Sequence, residues 1–308
     1  MVSKKILSAY LGAKEYMGPL KNELDNIIDV HEQLVLSASP PINTFWSINT
    51  WNNPEVLTID SINDGVKKLK GIQRNWCLYS YQFHRRAKLI QEKLPHISAK
   101  PLQFPCHLPT SGIGSWTLLT QNKILASSKC SSVFKNGEVI FEEDRSGPPS
   151  RAYLKLYEAL TRVEKFPQIG EFCIDAGGAP GGWAWVIQKL GARTLTIDRS
   201  PLDSRISSLP NIEYRKGDVF SIKPSDFDKV DWLFSDVICY PEKLFEWISL
   251  WIDSKKCRNF ICTIKLQGTI PDYTIAKKFL GIEGSQVIHL YNNKNELTFI
   301  HTESKLNN

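Results

Sequence analysis

The sequence predicts an α/β protein, in which helices wrap a mostly parallel sheet that ends in an antiparallel hairpin and a smaller α+β domain comes first. From residue 172 onward, short apolar runs alternate with helix-like segments, which is the pattern of a parallel sheet with crossover helices. A glycine-rich segment at 177–182 joins the first apolar run to a helix. The chain closes with two strand-like runs, 286–291 and 296–301, around the polar segment 292–295, which is a hairpin signal.

The elements of this second half follow in chain order. A helix begins after Ser150, which we expect to cap it, and runs to Leu160. Pro241 suits the first position of a later helix, because a proline there loses no hydrogen bond. Short apolar runs predict strands at 172–176, 194–198, 212–215, 232–235 and 260–265. Helical spacing of apolar residues predicts helices at 183–190, 241–254 and 273–280.

The first 145 residues have a different character. Tryptophan and proline are mixed with short strand-like pieces, and the prolines at 40–41 and 105–109 interrupt any long element. Residues 142–150 have the composition of a linker. We therefore divide the chain into a first domain of residues 1–145 and a second domain of residues 146–308.

Composition bounds the class of protein. The chain of 308 residues is 42% hydrophobic and 23% charged, as expected of a globular protein rather than a disordered one. Its net charge of +6 permits a nucleic-acid partner without requiring one. The 7 cysteines include no C-x-x-C pair, so neither a zinc site nor a disulfide framework is predicted, and a reducing, cytoplasmic location is expected. No apolar run approaches the roughly 18 residues of a membrane span.

The segment after the first strand indicates a cofactor site. Asp175 ends an apolar strand, where it can accept hydrogen bonds from a ligand, and a glycine-rich loop follows that lets a ligand approach the backbone. The dinucleotide fingerprint G-x-G-x-x-G would need a glycine where Ala179 stands, and Pro180 removes one backbone donor. The loop therefore favours a cofactor without a pyrophosphate, and S-adenosylmethionine is such a cofactor.

Two more acids end later strands. Asp198 follows Asp175 by 23 residues, close to the spacing of about 20 at which an acid holds ribose hydroxyls. Asp218 ends the next strand, where we expect it to bond the adenine amine. The predicted cofactor-binding residues are Asp175, Gly177, Gly178, Ala179, Pro180, Gly181, Gly182, Trp183, Asp198, Asp218 and Asp236.

Two further charged residues stand at strand ends. Asp236 follows the strand 232–235, and Lys265 ends the strand 260–265. Ligands of open α/β sheets bind beyond the carboxyl ends of the strands, so both side chains should converge on the cofactor crevice. A lysine in an apolar strand normally needs a carboxylate partner, and Asp236 is available.

Together these motifs resemble the FtsJ-type ribose 2′-O-methyltransferases, which have the Rossmann-like class I methyltransferase sheet. The resemblance covers roughly the second half of the chain and rests on residues 150–160, 177–183, 235–236 and 264–266. Segments 139–151 and 288–291 are also similar to the RlmM group, which acts on 23S ribosomal RNA.

The resemblance implies S-adenosylmethionine-dependent methylation of a ribose 2′-hydroxyl, with large-subunit ribosomal RNA as substrate. It places a catalytic Lys-Asp-Lys-Glu tetrad on Lys155, Asp236, Lys265 and Glu296. A 2′-hydroxyl is a poor nucleophile, and a neighbouring ammonium favours its alkoxide. We expect Lys265 to steer or accept the hydroxyl proton, with a pKa lowered by burial and by Lys155. The two carboxylates would position the lysines, and no metal is required.

A basic segment in the first domain indicates where RNA binds. Residues 65–100 hold nine lysines and arginines against one acid, Glu92, and cations bind phosphates. Exposed aromatic side chains stack on unpaired bases, whereas a solvated helix face over an aromatic core is the other interpretation. The interleaved aromatic residues are Trp76, Tyr79, Tyr81, Phe83 and His84. The predicted RNA contacts are Lys67, Lys68, Arg74, Arg85, Arg86 and Arg151.

Three other functions and the oligomeric state stay open. A messenger-cap 2′-O-methyltransferase would share the tetrad but bind a cap guanosine, and a non-catalytic RNA-binding protein would keep only the fold. A small-molecule methyltransferase would not need the basic first domain. Base methylation is disfavoured, because no Asn/Asp-Pro-Pro-aromatic motif follows Ser235 and the pair Pro105-Cys106 precedes the cofactor loop.

Overall fold

The structure is a computed structural model that describes residues 5–97, 100–266 and 274–303. Within these ranges the chain forms two compact units. One holds the described residues up to Leu102 together with Leu108–Ile140, and the other holds Gln103–His107 together with the residues from Phe141 onward. No helix of the described ranges is long and apolar enough to cross a membrane.

Residues 103–107 belong to the second unit because of an aromatic contact. The ring of Phe104 stacks on Tyr157 with ring centroids 3.8 Å apart, and it meets the edge of Phe141 at 6.4 Å. The sequence-based division after residue 145 assigned both 103–107 and Phe141 to the first domain, so the structure differs from that expectation at these two places. Local composition does not reveal this contact between segments that are distant in sequence.

The first unit is an α+β arrangement of two small sheets. Its strands are β1 Ser8–Gly12, β2 Ile27–His31, β3 Leu34–Ser37, β4 Ser47–Asn52, β5 Glu55–Thr58, β6 Trp76–Leu78, β7 Gly114–Thr120, β8 Lys123–Ser127 and β9 Lys129–Cys130. Its helices are α1 Met17–Asn22, α2 Ile62–Ile72 and α3 His84–Glu92, with 3-10 turns at Lys14–Tyr16 and Lys135–Gly137. One sheet has the order β2-β3-β1-β4-β9, and the other has the order β5-β8-β7-β6 with β6 parallel to β7.

Helices α2 and α3 bury one face each and leave the other to solvent. The N-cap of α2 is Ser61, whose hydroxyl accepts a hydrogen bond from the Asp64 amide at 3.1 Å, which satisfies a donor that the helix itself leaves unpaired. The inner faces contribute Leu69 and Ile90 to a hydrophobic core that also contains Trp76. The outer faces therefore carry the basic side chains of this segment.

The second unit is a single sheet with helices. Its strands are β10 Phe172–Ala176, β11 Arg193–Asp198, β12 Ile212–Lys216, β13 Val230–Ser235, β14 Cys257–Lys265, β15 Ser285–Ile288 and β16 Glu296–Thr302. Its helices are α4 Tyr153–Val163, α5 Gly182–Lys189, α6 Ser204–Ser207, α7 Pro241–Ser254 and α8 Thr274–Leu280, with 3-10 turns at Val219–Ser221 and Pro224–Asp226. Tyr273, which the sequence assigned to the last helix, lies outside the described residues.

The strand order of this sheet is β12-β11-β10-β13-β14-β16-β15. Strands β10 to β14 are parallel to one another, whereas β16 runs antiparallel between β14 and β15. The predicted α/β fold with an antiparallel end is therefore confirmed. Because the chain moves outward from β10 first toward β12 and then toward β15, the loops after β10 and β13 diverge and open a crevice, where such sheets bind ligands.

Two local predictions about this unit are wrong. Ser150 does not cap α4: the helix starts at Tyr153, and its N-cap position is Ala152, which makes no side-chain bond. The hydroxyl of Ser150 instead packs against the backbone of Gly182, since a Cβ on that glycine would lie 2.8 Å from it. The strand predicted to reach residue 291 ends at Ile288, because the chain turns there and the Tyr291 amide donates to the Glu158 carboxylate at 2.8 Å.

We expect Phe299→Ala to lower the free energy of unfolding by about 3–5 kcal/mol, the usual cost of truncating a buried phenylalanine. Phe299 is fully buried on β16, and its ring lies 5.2 Å from that of Phe279 on α8. Urea denaturation would measure the change. Leu250→Ala on α7 is the matched control, because Leu250 is largely exposed and its truncation should cost well under about 1 kcal/mol. Equal losses in the two variants would contradict the assignment of β16 to the core.

Candidate active site

The glycine-rich loop after β10 is held close to neighbouring elements. Gly177 and Gly181 have φ angles of +77° and +113°, a region that favours glycine. A Cβ on Gly177 would lie 2.6 Å from the Cβ of Val237, and one on Gly181 would lie 2.7 Å from the Cγ2 of Ile206. The loop therefore needs glycine at both positions, because at each of them the backbone angle and the close neighbour both disfavour a side chain.

A cleft of about 910 Å³ opens beside this loop at the carboxyl edge of the sheet. Six of the predicted cofactor-binding residues line it, namely Gly177, Ala179, Pro180, Asp198, Asp218 and Asp236. The other five are buried and do not line it, namely Asp175, Gly178, Gly181, Gly182 and Trp183. The buried set supports the loop from beneath; the indole of Trp183, for example, donates to the Ala152 carbonyl at 2.9 Å.

Asp198 and Asp218 are held in place by backbone amides. The Asp198 carboxylate accepts hydrogen bonds from the amides of Ala179 at 3.1 Å and Ser200 at 2.8 Å. The Asp218 carboxylate accepts from the Phe220 amide at 3.0 Å and from the Arg199 guanidinium at 2.6 Å. The Phe220 amide and then Arg199 lower the pKa of Asp218. Each carboxylate has further lone pairs, so both can still accept a bond from a hydroxyl or amine in the cleft.

Sequence reasoning missed several side chains that line the cleft. Arg199 and Phe220 lie just after the acids of β11 and β12, and Ile238, Tyr240 and Lys243 follow Asp236. Lys243 places its ammonium 4.0 Å from the centre of the Phe220 ring. All five follow a strand at its carboxyl end, and that position is the signal by which they could have been found.

The four residues of the predicted tetrad meet in one closed ring of ion pairs. The Lys155 ammonium lies 2.6 Å from Asp236 Oδ2 and 3.0 Å from Glu296 Oε1. The Lys265 ammonium lies 2.6 Å from Asp236 Oδ1 and 2.5 Å from Glu296 Oε2. Each lysine therefore bonds both carboxylates, and each carboxylate bonds both lysines, so the ring carries no net charge.

Secondary structure sets the positions of these four groups. Lys155 lies on α4, Asp236 follows β13, Lys265 ends β14, and Glu296 begins β16. Lys265 and Glu296 are direct partners in the antiparallel register of β14 and β16. A slip of one residue would turn the two side chains to opposite faces of the sheet, so the ring depends on this register.

Glu158 connects the helix that carries Lys155 to the turn before Glu296. Its side chain is fully buried and accepts from the Arg162 guanidinium at 2.9 Å and from the Tyr291 amide at 2.8 Å. Burial raises the pKa of Glu158, and Arg162 partly offsets this effect. The contact fixes α4 relative to the approach to β16 and was not anticipated from the sequence.

The electrostatics of the ring reverse one expectation. Burial by itself would lower the pKa of Lys265, but the carboxylates of Asp236 and Glu296 outweigh it, so that the pKa of Lys265 is raised. Burial would likewise raise the pKa of Asp236, but the ammonium groups of Lys155 and Lys265 outweigh it, and the pKa is lowered. The predicted lowering of the Lys265 pKa is wrong, because a lysine's pKa is set by its nearest charges as well as by its burial.

Asp175 lies beneath the loop and not in the cleft. Its side chain is fully buried, and a Cβ on Gly178 would lie 2.2 Å from its Oδ2. Among the described residues neither carboxylate oxygen accepts a well-formed hydrogen bond. Burial raises the pKa of Asp175 to about 8, Asp236 acts in the same direction, and the Ala184 amide only partly offsets them. Asp175 therefore does not line the cleft, and its part in cofactor binding stays a prediction.

The structure places most of the predicted basic side chains of the first unit at the surface and buries two of the five interleaved aromatic ones. Lys67, Lys68, Arg74 and Arg85 are exposed, and Arg86 is partly buried. The Lys68 ammonium pairs with Asp64 at 2.9 Å. Arg151 belongs to the second unit, where it pairs with Glu143 at 2.7 Å.

Two of the aromatic residues are core residues. Trp76 is 1% exposed and Tyr79 is 8% exposed, so neither is available to stack on a base. The Trp76 indole donates to the Leu69 carbonyl at 2.9 Å, because a buried donor needs a partner. Tyr81 and Phe83 are half-buried, and His84 is exposed. The interpretation as an aromatic core is therefore correct for Trp76 and Tyr79.

Comparison with known proteins identifies what this chain is similar to. A family model described as FtsJ-like methyltransferase matches residues 148–303, half of the chain, including all four residues of the ring. Ribosomal RNA large subunit methyltransferase M of Halorhodospira halophila (strain DSM 244 / SL1) is 31% identical over 157 residues, which cover 49% of this chain and 46% of that protein. The protein of the same name from Azoarcus sp. (strain BH72) is 32% identical over 127 residues, which cover 39% of this chain and 34% of that protein.

The chain therefore matches less than half the length of these two relatives. Among solved structures, the fibrillarin pre-rRNA processing protein of Methanococcus jannaschii is 18% identical, with a TM-score of 0.37 over 47% of this chain and 73% of that chain. A similarity of this strength carries no argument about function.

We expect Asp175→Asn to become more stable relative to the wild type as the pH rises from 5 to 8. A carboxyl with a raised folded-state pKa binds its proton more tightly in the folded than in the unfolded protein, so folding loses free energy between about pH 4 and about pH 8. Asparagine has nearly the same shape and carries no charge.

Urea denaturation of both proteins at several pH values would measure the difference. Asp253→Asn on α7 is the control, because Asp253 is exposed and its replacement should leave the pH dependence unchanged. A difference between Asp175→Asn and the wild type that stays constant with pH would show that Asp175 is ionised in the folded protein.

Proposed function

The chain belongs to the FtsJ-like methyltransferase family, and we propose that it transfers a methyl group from S-adenosylmethionine to a ribose 2′-hydroxyl of RNA. The observation that carries the proposal is the closed ring of Lys155, Asp236, Lys265 and Glu296 beside the cleft. A hydroxyl acceptor needs charge stabilisation as its proton leaves, and two adjacent ammonium groups supply it.

The residues of the cleft fit S-adenosylmethionine. The acids Asp198 and Asp218 face it with free lone pairs for ribose hydroxyls and an amine, and Gly177 lines it without a side chain. The loop lacks the glycine pattern that cradles a pyrophosphate. When bound, the cofactor supplies an electrophilic methyl group on a positively charged sulfur.

The chain's own residues prepare the acceptor. The carboxylates of Asp236 and Glu296 accept hydrogen bonds from both lysines and align them, and they raise the pKa of Lys265, which favours its ammonium form. A ribose hydroxyl that enters the ring would accept a hydrogen bond from Lys265, which stabilises the negative charge that develops on oxygen. As this oxygen takes up the methyl group and the sulfur–methyl bond breaks, the hydroxyl proton would pass to solvent water and the sulfur would leave as an uncharged thioether. The Lys155 ammonium, which bonds the other oxygen of each carboxylate, adds to this stabilisation. The raised pKa of Lys265 supports a role as electrostatic stabiliser rather than as a resting general base.

We propose large-subunit ribosomal RNA as the substrate and the cytoplasm as the location. The names of the two relatives support this substrate class. The exposed basic residues of the first unit suit a phosphate backbone, since cations bound to phosphates supply most of the affinity for nucleic acid.

The direct test is radiolabelled methyl transfer to ribosomal RNA that lacks methylation, followed by digestion and identification of the labelled nucleoside. Label in a 2′-O-methylated nucleoside of large-subunit RNA is the expected result. Label in a base would overturn the assigned chemistry, and label that appears only on capped RNA would move the substrate to messenger caps. Failure to label any RNA, together with failure to bind S-adenosylmethionine, would support a non-catalytic RNA-binding protein.

We expect Lys265→Ala to lower kcat for methyl transfer by about 10²–10³, the range seen when one preorganised donor is removed. The dissociation constant of S-adenosylmethionine, measured by calorimetry, should change little, because Lys265 does not line the cleft. Lys278→Ala is the control, since Lys278 is exposed on α8. A variant that keeps wild-type kcat, or loses cofactor binding and activity together, would remove Lys265 from this role.

We also expect the double variant Arg85→Gln, Arg86→Gln to raise the KM for RNA and to make its dependence on salt shallower. Each phosphate contact that is lost reduces the number of counterions released on binding. The control is Lys21→Gln, Lys123→Gln, which removes the same charge from exposed positions elsewhere in the first unit. Equal effects of the two pairs would indicate a general effect of net charge rather than a binding surface at α3.

A further inference from the structure

The loop between β13 and α7 exposes two large apolar side chains beside the ring of ion pairs. Ile238 is 83% exposed and Tyr240 is 67% exposed, and both line the cleft. The loop starts at Asp236, whose carboxylate bonds both lysines of the ring. Only three residues thus separate Asp236 of the ring from the exposed Tyr240.

This exposure belongs to an anchored loop. Asp236 is fixed at one end by its two ion pairs, and Tyr240 is fixed at the other as the residue that precedes α7, with its carbonyl accepting from the Leu244 amide at 3.2 Å. Between them Val237 packs against Gly177, since a Cβ on that glycine would lie 2.6 Å from the Val237 Cβ. The backbone therefore presents Ile238 and Tyr240 from a defined position.

The position along the sheet indicates which ligand these side chains meet. The acids assigned to the cofactor follow β11 and β12, and the ring is built at β13, β14 and β16. In the order of the sheet, β13 lies between the strands that carry the acids assigned to the cofactor and the strands that carry Lys265 and Glu296. The loop after β13 therefore lies between the proposed cofactor site and the proposed acceptor site. Its apolar side chains are thus placed next to the group that the ring receives.

We propose that Ile238 and Tyr240 form a stacking platform for the base of the nucleotide whose 2′-hydroxyl is methylated. The proposal rests on the proposed function and deepens it by adding residues that position the acceptor. An exposed aromatic ring beside an apolar side chain suits the π-face of any base, and stacking on such a ring contributes about 1–3 kcal/mol per base. The ribose of a nucleotide stacked there would lie within reach of the ring of ion pairs, because Asp236 of that ring lies two residues before Ile238.

A platform of this kind predicts little preference among bases. Stacking uses the π-face that every base has, whereas reading a base requires hydrogen bonds to its edge. Ile238 has no polar side-chain atom, and Tyr240 offers only its hydroxyl. The pair would therefore align the target nucleotide, while selection of the site is left to other contacts with the RNA.

The test uses the full chain and a synthetic RNA oligonucleotide that spans the nucleotide labelled by the wild type. We expect Tyr240→Ala to lower kcat/KM for this RNA by about 5- to 100-fold, which is the stacking contribution converted to a rate ratio. Tyr240→Phe should keep near-wild-type activity, because the ring and not the hydroxyl does the stacking. The dissociation constant of S-adenosylmethionine should stay within about threefold in both variants.

A second measurement isolates the contact. The same RNA with an abasic target nucleotide should lose about as much activity with the wild type as Tyr240→Ala loses with intact RNA. With Tyr240→Ala the abasic change should then cost almost nothing more, since two changes that remove one contact are not additive. Fully additive losses would overturn the platform.

Three other outcomes are informative. Weaker binding of S-adenosylmethionine by Tyr240→Ala would assign the pair to the cofactor wall and overturn the inference. Unchanged kcat/KM in Tyr240→Ala, with methylation by the wild type intact, would overturn the platform and leave the proposed function standing. Absence of 2′-O-methylation by the wild type would overturn both. Leu250→Ala, exposed on the same helix that follows the loop, controls for loss of exposed apolar surface.

Discussion

The ring of two lysines and two carboxylates constrains the second unit more than any other interaction described. Taking a charge out of water costs several kcal/mol, and removal of one partner from a buried pair leaves an uncompensated charge. The ring is tolerated because every charge has two opposite partners within 3.0 Å. α4, β13, β14 and β16 must therefore meet at one edge, in one register, for the fold to be stable.

This constraint also decides the kind of chemistry the site can perform. The carboxylates that make burial possible raise the pKa of Lys265, and the lysines lower that of Asp236. Under the proposed function, the ammonium groups of this site would lie beside the acceptor oxygen and stabilise the alkoxide that develops on it by preorganised electrostatics. Asp198 and Asp218, which we propose as cofactor-binding acids, follow β11 and β12, so the proposed donor and acceptor sites lie at different parts of one sheet edge.

The first unit follows different physical rules. Its helices bury aliphatic and indole groups inward and leave lysines and arginines outside, which is the arrangement of any amphipathic helix on a sheet. The charged faces suit RNA through phosphates, while Trp76 and Tyr79 hold the core. Of the other aromatic residues in this segment, Tyr81 and Phe83 are half-buried and His84 is exposed, while the second unit exposes Tyr240 in its cleft.

Lys155 and Glu296 of the ring came from the resemblance to a known family, whereas the sequence by itself determined the order of strands and helices in the second unit, the glycine loop, and Asp236 and Lys265 at strand ends. Those features are local, because apolar runs, turn residues and charged groups at strand ends can be recognised in a short stretch of sequence without knowing which residues they contact. Tertiary structure decided the rest, because it depends on segments far apart in the chain. Only packing shows that Lys265 keeps its proton between two carboxylates, that Asp175 is buried beneath its loop, and that Ser150 packs against Gly182 instead of capping α4. Burial and pairing set the behaviour of a charged or aromatic side chain, and both are properties of the fold.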